Sequence, residues 1–297
     1  GDADQLPPVG PGNFLRDCIS SERIHTVELD EIFRQAQESA IVRNAHAINR
    51  GEMPVSGGRD GDFFIMRKHS AEDVMQTVVD LCRKRLPDYY GFSPEQIQVL
   101  TPSRRQAAGT QQLNRMLQDA LNPPDACKPE KRYGDTIFRL GDRVMQVRNN
   151  YDIVWEKEHD PEEEGTGMFN GDVGKIVGIS LRDENLCVQF DDKLAHYTFD
   201  MLGELELAYA MTVHKSQGSE FDAVIVALPA GIGRRLLTRN ILYTAITRAK
   251  KLLVLVGDSD VTETMVHTNT RNRRYSALRA RLIRQVPEDA QASLEEE

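Results

Sequence analysis

Hydrophobic positions along this chain follow two rhythms. Val224-Ile-Val-Ala-Leu228 and Leu252-Leu-Val-Leu-Val256 are continuous apolar runs. They are too short to span a membrane and read as buried strands. Ile97–Pro102 and Phe63–Met66 read as two more strands, and Val27–Leu29 as a short one. Between them apolar residues recur at helical spacing. Ile32, Ala36, Ile41, Ala45 and Ile48 predict a helix over Glu31–Arg50, ended by Gly51 and Pro54. Val74, Val78, Leu81 and Cys82 predict one over Ala71–Arg85, and Leu113, Leu117 and Leu121 one over Gln111–Leu121. Leu237, Ile241 and Ala245 share a helix face ahead of the last apolar strand, and shorter helices are expected from Asn13 and within Val261–Asn272. Arg273–Arg284 reads as a basic amphipathic helix that packs on the core or on another domain. Strands alternating with helices predict an α/β fold built on a parallel sheet.

From residue 133 to about 206 the rhythm changes to short strands: Arg143–Val147, Ile153–Lys157, Lys175–Ile179, Leu186–Phe190 and His196–Phe199. Turns are expected at Phe138–Asp142, Asn149–Asp152 and Phe169–Gly174, with a solvated loop over His159–Gly167. Such closely spaced strands predict a small barrel. Leu205–Met211 reads as one strand leading back to the first unit, and the polar tail from Pro287 carries no element.

Composition narrows this picture. With 297 residues and 40% hydrophobic positions, one large or two modest globular units are expected. A net charge of −9 argues against a surface coated with phosphate-binding cations but leaves room for a local basic groove. Cys18, Cys82, Cys127 and Cys187 have no ligand spacing, which fits reduced thiols, a cytoplasmic location and no metal site. No stretch approaches the length of a membrane span.

The densest chemistry lies in Ala208–Phe221, where Thr212, His214, Lys215, Ser216, Gln217 and Glu220 surround Gly218 just before a core strand. Thr212, His214 and Lys215 suit a backbone phosphate; Gly218 permits close approach of a ligand; Glu220 can accept from a ribose hydroxyl. Thr101 and Ser103, followed by Arg104 and Arg105, end a strand in the same way, although Ser103 also suits a helix cap. Gln5 heads a turn-rich loop that either poises a polar group or is an ordinary surface turn. Arg34 and Arg248 present rigid, permanently charged forks suited to phosphate oxygens.

Taken in order, GDADQLPPVGPGNFLRD at 1–17, FRQ at 33–35, LTP to LN across 100–114, Thr212–Phe221 and YTAITRAKK at 243–251 resemble motifs of superfamily 1 DNA helicases of the RecD-like branch, the kin of the exodeoxyribonuclease V alpha subunit. The resemblance implies a RecA-like P-loop NTPase second motor domain with an inserted SH3-like β-barrel. Its expected divisions are 1–26 as a remnant of the first motor domain, 27–132 and 207–285 as the second, 133–206 as the insert, and 286–297 as a tail. It implies catalytic roles for Gln5, Arg34 and Arg248, and nucleotide-side roles for Gln35, Gly218 and Glu220. Nucleic-acid contacts are implied for Thr101, Ser103, Asn114, Thr212, His214 and Lys215. ATP and Mg²⁺ are the implied cofactors. The implied partners are single-stranded DNA, duplex junctions, a first motor domain and, in part of the family, subunits of a nuclease complex.

The 297 residues contain no GxxxxGK[ST] loop; Gly174-Lys175 is followed by Ile176. The chain is therefore expected to be a C-terminal motor-domain piece without ATPase activity of its own. The rival expectation is a helicase-derived module that binds nucleic acid or protein without catalysis.

Overall fold

The computed structural model describes residues 1–7, 10, 12–28, 38–58, 60–106, 108–160, 162–269 and 276–284. Arg34, Gln35 and the first part of the helix expected from Glu31, up to residue 37, lie outside these residues. The first helix, α1 (Phe14–Ser21), follows the turn-rich loop. Helix α2 (Ala40–Arg50) begins where the Ser39 hydroxyl accepts from the Val42 amide, and it stops at Gly51, which adopts φ +87°. Val27 and Glu28 are not in a strand.

A five-stranded sheet forms one layer, with β1 (Phe63–Arg67), β2 (Ile97–Thr101), β12 (Ala210–Thr212), β13 (Phe221–Leu228) and β14 (Ala249–Gly257) in the order β1-β14-β13-β2-β12. All four pairings are parallel. Helices cover both faces, so the central strands carry long apolar runs, Ala223–Leu228 and Leu252–Val256. Val224, Val226 and Leu228 of β13 join Leu253 and Leu255 of β14 in a core with α2 and with α6 (Arg239–Ile246) and α7 (Ser259–His267). Ala223, Ile225 and Ala227 face the opposite core, with α3 (Ala71–Asp80) and α5 (Thr110–Leu121). Helix α3 runs through a π-helical turn, Leu81–Arg85, into α4 (Leu86–Tyr90).

The second layer is a seven-stranded antiparallel sheet around its own core of Val144, Ile153, Ile176, Leu186, Val188 and Tyr197, among others. It comprises β5 (Arg143–Gln146), β6 (Asn150–Lys157), β7 (Glu164–Met168), β8 (Val173–Ser180), β9 (Asn185–Phe190), β10 (Lys193–Thr198) and β11 (Leu205–Leu207), in the order β11-β5-β8-β9-β10-β6-β7. A separate hairpin, β3 (Glu130–Tyr133) and β4 (Thr136–Arg139), precedes it.

Four expectations change. The expected turn at Asn149–Asp152 lies largely within β6, and part of the expected loop over His159–Gly167 is β7. The single strand expected over Leu205–Met211 is two strands in two sheets: β11 pairs with β5, and β12 pairs with β2. Finally, Arg273–Arg284 is described as helix only over Leu278–Arg284, α8, which lies against α1; Ser276 Oγ donates to Asp17 Oδ2 and Arg279 Nε to the Ser20 carbonyl.

The two sheets meet at a sealed polar seam. Asp142, 0% exposed, accepts four hydrogen bonds: from Gln118 Nε2 at 2.6 Å, Asn122 Nδ2 at 2.7 Å, the Arg139 amide at 2.7 Å and the Tyr209 hydroxyl at 2.9 Å. Burial nevertheless pushes its carboxyl above the usual range, against the pull of those donors. Arg143 straps β5 to the start of β2 through the carbonyls of Glu95 and Ile97.

Candidate nucleotide and nucleic-acid site

The segment between β12 and β13 is a hydrogen-bonded turn. The amides of Lys215 and Ser216 both donate to the Thr212 carbonyl. Ser216 is buried and its hydroxyl donates to the Val213 carbonyl, so it braces the turn from within. Gly218 takes φ +85°, and a Cβ there would meet nothing within 4 Å. Its glycine is therefore required by backbone conformation, and the space beside it is open.

The amino-terminal loop is stitched onto α6 and onto this turn. Gln217 Nε2 donates to the Leu6 carbonyl, Asn240 Nδ2 to the Asp4 carbonyl, and the Tyr243 hydroxyl to Asp2 Oδ2. The Leu6 amide donates to Thr244 Oγ1, and Asn49 Nδ2 to Asp4 Oδ2. These bonds place Gln5 between Asp2, which accepts from its Nε2 at 3.0 Å, and Arg248, whose Nη2 donates to its Oε1 at 2.9 Å. Arg248 is 6% exposed. It also donates to the carbonyls of Thr244 and Ser219 and to Thr247 Oγ1. All these acceptors are neutral. Burial lowers the Arg248 pKa, while Glu220 and Asp2 act to raise it. Glu220 itself is exposed and pairs with Lys250 at 3.5 Å.

A cleft of about 850 Å³ opens beside this arrangement. Gln5, Thr212, His214, Lys215 and Gly218 all line it, so five of the candidate residues share one cavity. Arg248 stands behind its wall, bonded to Gln5 and Ser219. The opposite wall is Asn170-Gly-Asp172, the turn between β7 and β8, and Lys215 Nζ donates to Asn170 Oδ1. Burial lowers the Lys215 pKa, with Arg104 adding to the effect and Glu206 opposing it.

Three candidates face inward instead. Thr101 is buried and its hydroxyl donates to the Ala108 carbonyl. Ser103 is buried and its hydroxyl accepts from the Gln106 amide. Gly109 closes this loop so tightly that a Cβ would fall 2.6 Å from the Arg104 carbonyl oxygen. Asn114 on α5 holds strand backbone: Nδ2 donates to the carbonyls of Leu207 and Ala210, and Oδ1 accepts from the Ala210 amide. The groups that reach the surface here are Arg104, paired with Glu206 at 2.6 Å, and Arg148; with Thr212 and Lys215 they line a second groove of about 370 Å³.

The residues that hold the loop and the cleft were not singled out by sequence reasoning: Asp2, Asn170, Asn240 and Thr244. Their one signal was position, inside or beside segments already dense in polar side chains. The cleft's donors (the amides of Gln5 and Asn170, the Lys215 ammonium and the open backbone at Gly218) fit phosphate oxygens. Among the described residues no group of three or more His, Cys, Asp or Glu could hold a metal ion. No described helix is long and apolar enough to cross a membrane.

Comparison with known proteins agrees with this architecture. Residues 113–190 match the ATP-dependent RecD-like DNA helicase SH3 domain, residues 207–256 the UvrD-like helicase C-terminal domain, and residues 1–62 an AAA domain. The ATP-dependent RecD2 DNA helicase of Deinococcus radiodurans is 31% identical over 283 residues, which cover 95% of this chain and 35% of that protein. The RecBCD enzyme subunit RecD of Mycolicibacterium smegmatis is 28% identical over 86% of this chain and 44% of its own length. A solved structure of Bacteroides Pif1 helicase in complex with ADP-AlF3 and single-stranded DNA aligns with 100% of this chain and 65% of that one, at 19% identity and a TM-score of 0.48. The chain thus spans about a third to under a half of the two curated relatives. Its parallel sheet with flanking helices and its SH3-like sheet occur in one order with these matches, and over most of its length the chain is similar to RecD-like helicases.

Proposed function

We propose that this chain is the second motor domain, with its SH3-like insert, of an ATP-dependent DNA helicase that moves 5′ to 3′ on single-stranded DNA and opens duplex junctions in repair or recombination. In this reading the motor unit is 27–132 with 207–285, the insert is 133–206, and residues 1–26 belong with the first motor domain. The observation that carries the proposal is the common cavity. Gln5, with Arg248 bonded behind it, and Thr212, His214 and Lys215 border one cleft, joined by the turn at Gly218. A group that senses phosphate on one side of that turn can shift contacts to a nucleic-acid backbone on the other.

When bound, ATP with Mg²⁺ supplies the phosphoryl transfer that drives movement. The chain's contribution is electrostatic: Arg248, and by resemblance Arg34, meet charge on the transferring group, and Gln5 relays its position. Gln35, Gly218 and Glu220 border the nucleotide, and Glu220 accepts from its sugar. Thr212, His214 and Lys215 hold DNA phosphates. Thr101, Ser103 and Asn114 act indirectly, by fixing the backbone around that path. Without a phosphate loop in these 297 residues, the chain alone turns over ATP at background rate.

The test is Arg34→Ala and Arg248→Ala in the full-length protein, with DNA-stimulated kcat, nucleotide Kd and Tm measured on one preparation. A fall in kcat with Tm and Kd near wild type supports the reading, and an unchanged kcat overturns it. A second reading, a non-catalytic binding module, is favoured by one observation: Thr244, Ser219, Gln5 and Thr247 give Arg248 neutral oxygens of this chain as hydrogen-bond acceptors, as for a structural arginine. It predicts a Tm loss with unchanged turnover per folded molecule.

A further inference from the structure

The two larger sheets end in four edge strands, β1, β12, β11 and β7. An edge strand turns alternate amides and carbonyls outward, so it pairs with an extended chain unless something covers it. Three of the four are covered by specific bonds. On β1 the Phe63 carbonyl accepts from the Gly57 amide, and the Ile65 amide donates to Ser56 Oγ. On β12 and β11, Asn114 holds the Ala210 amide and carbonyl and the Leu207 carbonyl. Among the described residues no such bond reaches Glu164, Gly165 or Thr166 of β7. The Lys157 amide donates to the Glu163 carbonyl, so the alternation of an antiparallel ladder turns the backbone of Gly165 toward Trp155 and that of Glu164 and Thr166 outward. Both of those side chains are exposed, and the strand, Glu164-Gly-Thr-Gly-Met168, has neither the lysine nor the proline that blunts natural edges.

Two unfavourable features lie at this edge. Glu164 stands directly opposite Glu156 on β6, a cross-strand pair of like charge. His196 is 3.6 Å from Glu156, and among the described residues Glu164 has no ion-pair partner. Trp155 lies across Gly165, where a Cβ would strike ring atoms Cζ2 and Cε2. Its Nε1, bonded to that Cε2, is buried and has no hydrogen-bond partner among the described residues, which costs free energy.

Charge selects the occupant. Residues 156–164 hold six Asp or Glu and one Lys. That field repels phosphates, which disfavours nucleic acid, and a second copy of this edge would set the same acids against each other. A cationic strand suits it: its backbone meets the outward groups of Glu164 and Thr166, and its side chains fall beside Glu164 and Glu156. We propose that the free edge of β7 is a docking site for an extended, lysine- or arginine-rich peptide segment of a protein partner, which adds as an eighth strand to the antiparallel sheet.

Trp155 is the only tryptophan in the chain, so its emission reports occupancy of the edge without a label. The 297-residue chain is titrated with two short peptides of equal length and charge, one alternating Lys and Thr, the other alternating Lys and Pro. The second lacks the amides that a strand needs. The Lys–Thr peptide is expected to shift Trp155 emission saturably and in a salt-sensitive way, and to bind at least about tenfold more tightly than the Lys–Pro peptide. Glu164→Lys should weaken it about tenfold or more. Thr166→Pro, which removes an outward amide but no charge, should weaken the Lys–Thr peptide and not the Lys–Pro one. Thermal melts of each variant check folding, and the two peptides on the wild type decide the matter even where a variant unfolds. Equal binding of both peptides overturns strand addition. Calorimetric binding without a change in Trp155 emission, or no binding at all, overturns the site. A thymidine oligonucleotide that shifts the emission and displaces the peptide would assign the edge to nucleic acid and overturn the cationic partner.

Discussion

Two buried polar clusters border the parallel sheet, and they differ in one respect. At the seam, Asp142 is an anion ringed by four neutral donors with no exposure at all. At the cleft, Arg248 is a cation ringed by neutral acceptors, one of which, Gln5, also faces an open cavity of about 850 Å³. The seam is complete in itself: Gln118, Asn122 and Tyr209 reach Asp142 across it, and the Arg139 amide closes the ring locally. The Arg248 cluster borders space, and its partner on that side is a flexible amide. Buried charges satisfied by neutral dipoles can serve either architecture or chemistry. The adjoining cavity is what separates the two cases here.

Four experiments would break or sharpen that contrast. The largest expected effect is on stability. Asp142→Ala leaves four buried donors without their acceptor and should lower the unfolding free energy by about 3–5 kcal/mol, read from urea unfolding. A loss below about 1 kcal/mol would make the seam ornamental. Next, Arg248→Ala in the full-length protein should reduce DNA-stimulated kcat roughly 10²-fold or more while nucleotide Kd changes little. An equal loss of folded fraction would place Arg248 with Asp142 as architecture.

The third concerns pH. Because burial raises the folded-state pKa of Asp142, the folded protein binds more protons than the unfolded chain between the ordinary aspartate value, about 4, and the raised one. Its contribution to stability is therefore full below that window and falls as pH rises through it. Comparing unfolding free energy with pH for wild type and Asp142→Asn should show the wild type losing ground with rising pH over that interval. Parallel curves would contradict the assignment. The smallest effect is expected at Arg104–Glu206, an exposed pair at 2.6 Å. Glu206→Gln should shift stability by only about 0–1 kcal/mol, a change in Tm near the limit of detection, while tightening binding of a single strand by freeing Arg104. A large Tm loss would reveal a third structural cluster.

Legibility in the sequence followed burial geometry. Strands β13 and β14 were plain because both of their faces are covered, so Ala223–Leu228 and Leu252–Val256 are apolar without a break. The Leu205–Met211 run was misread because alternation shows that a strand is half buried but cannot show which sheet it enters. Hairpin β3–β4, with Glu130-Lys-Arg and Arg139, carries too little apolar pattern to stand out. In the site, polar density located the turn at Thr212–Gly218 but could not tell outward from inward side chains. Thr101, Ser103, Asn114 and Ser216 all look like surface chemistry in a sequence, and all are buried against backbone. The meeting of Gln5 and Arg248, so far apart in the chain, was not foreseen, because nothing local encodes a distance; the resemblance gave each a role but no contact. Arg34 and Gln35 lie outside the described residues.

Asn114 carries one more consequence. It grips Leu207 and Ala210 just where the chain re-enters the parallel sheet, and it lies on the helix from which the chain departed. The two ends of the excursion from residue 122 to residue 206 are therefore held together from the side of the parallel sheet. Closing a loop costs entropy that grows only slowly with its length, and an insertion whose ends lie close together is readily accommodated by its host. To the parallel sheet, the whole antiparallel unit counts as little more than a long turn. Evolution could then enlarge, trim or re-surface it while leaving the strand order of the host untouched, provided that asparagine and its two backbone partners stayed in place.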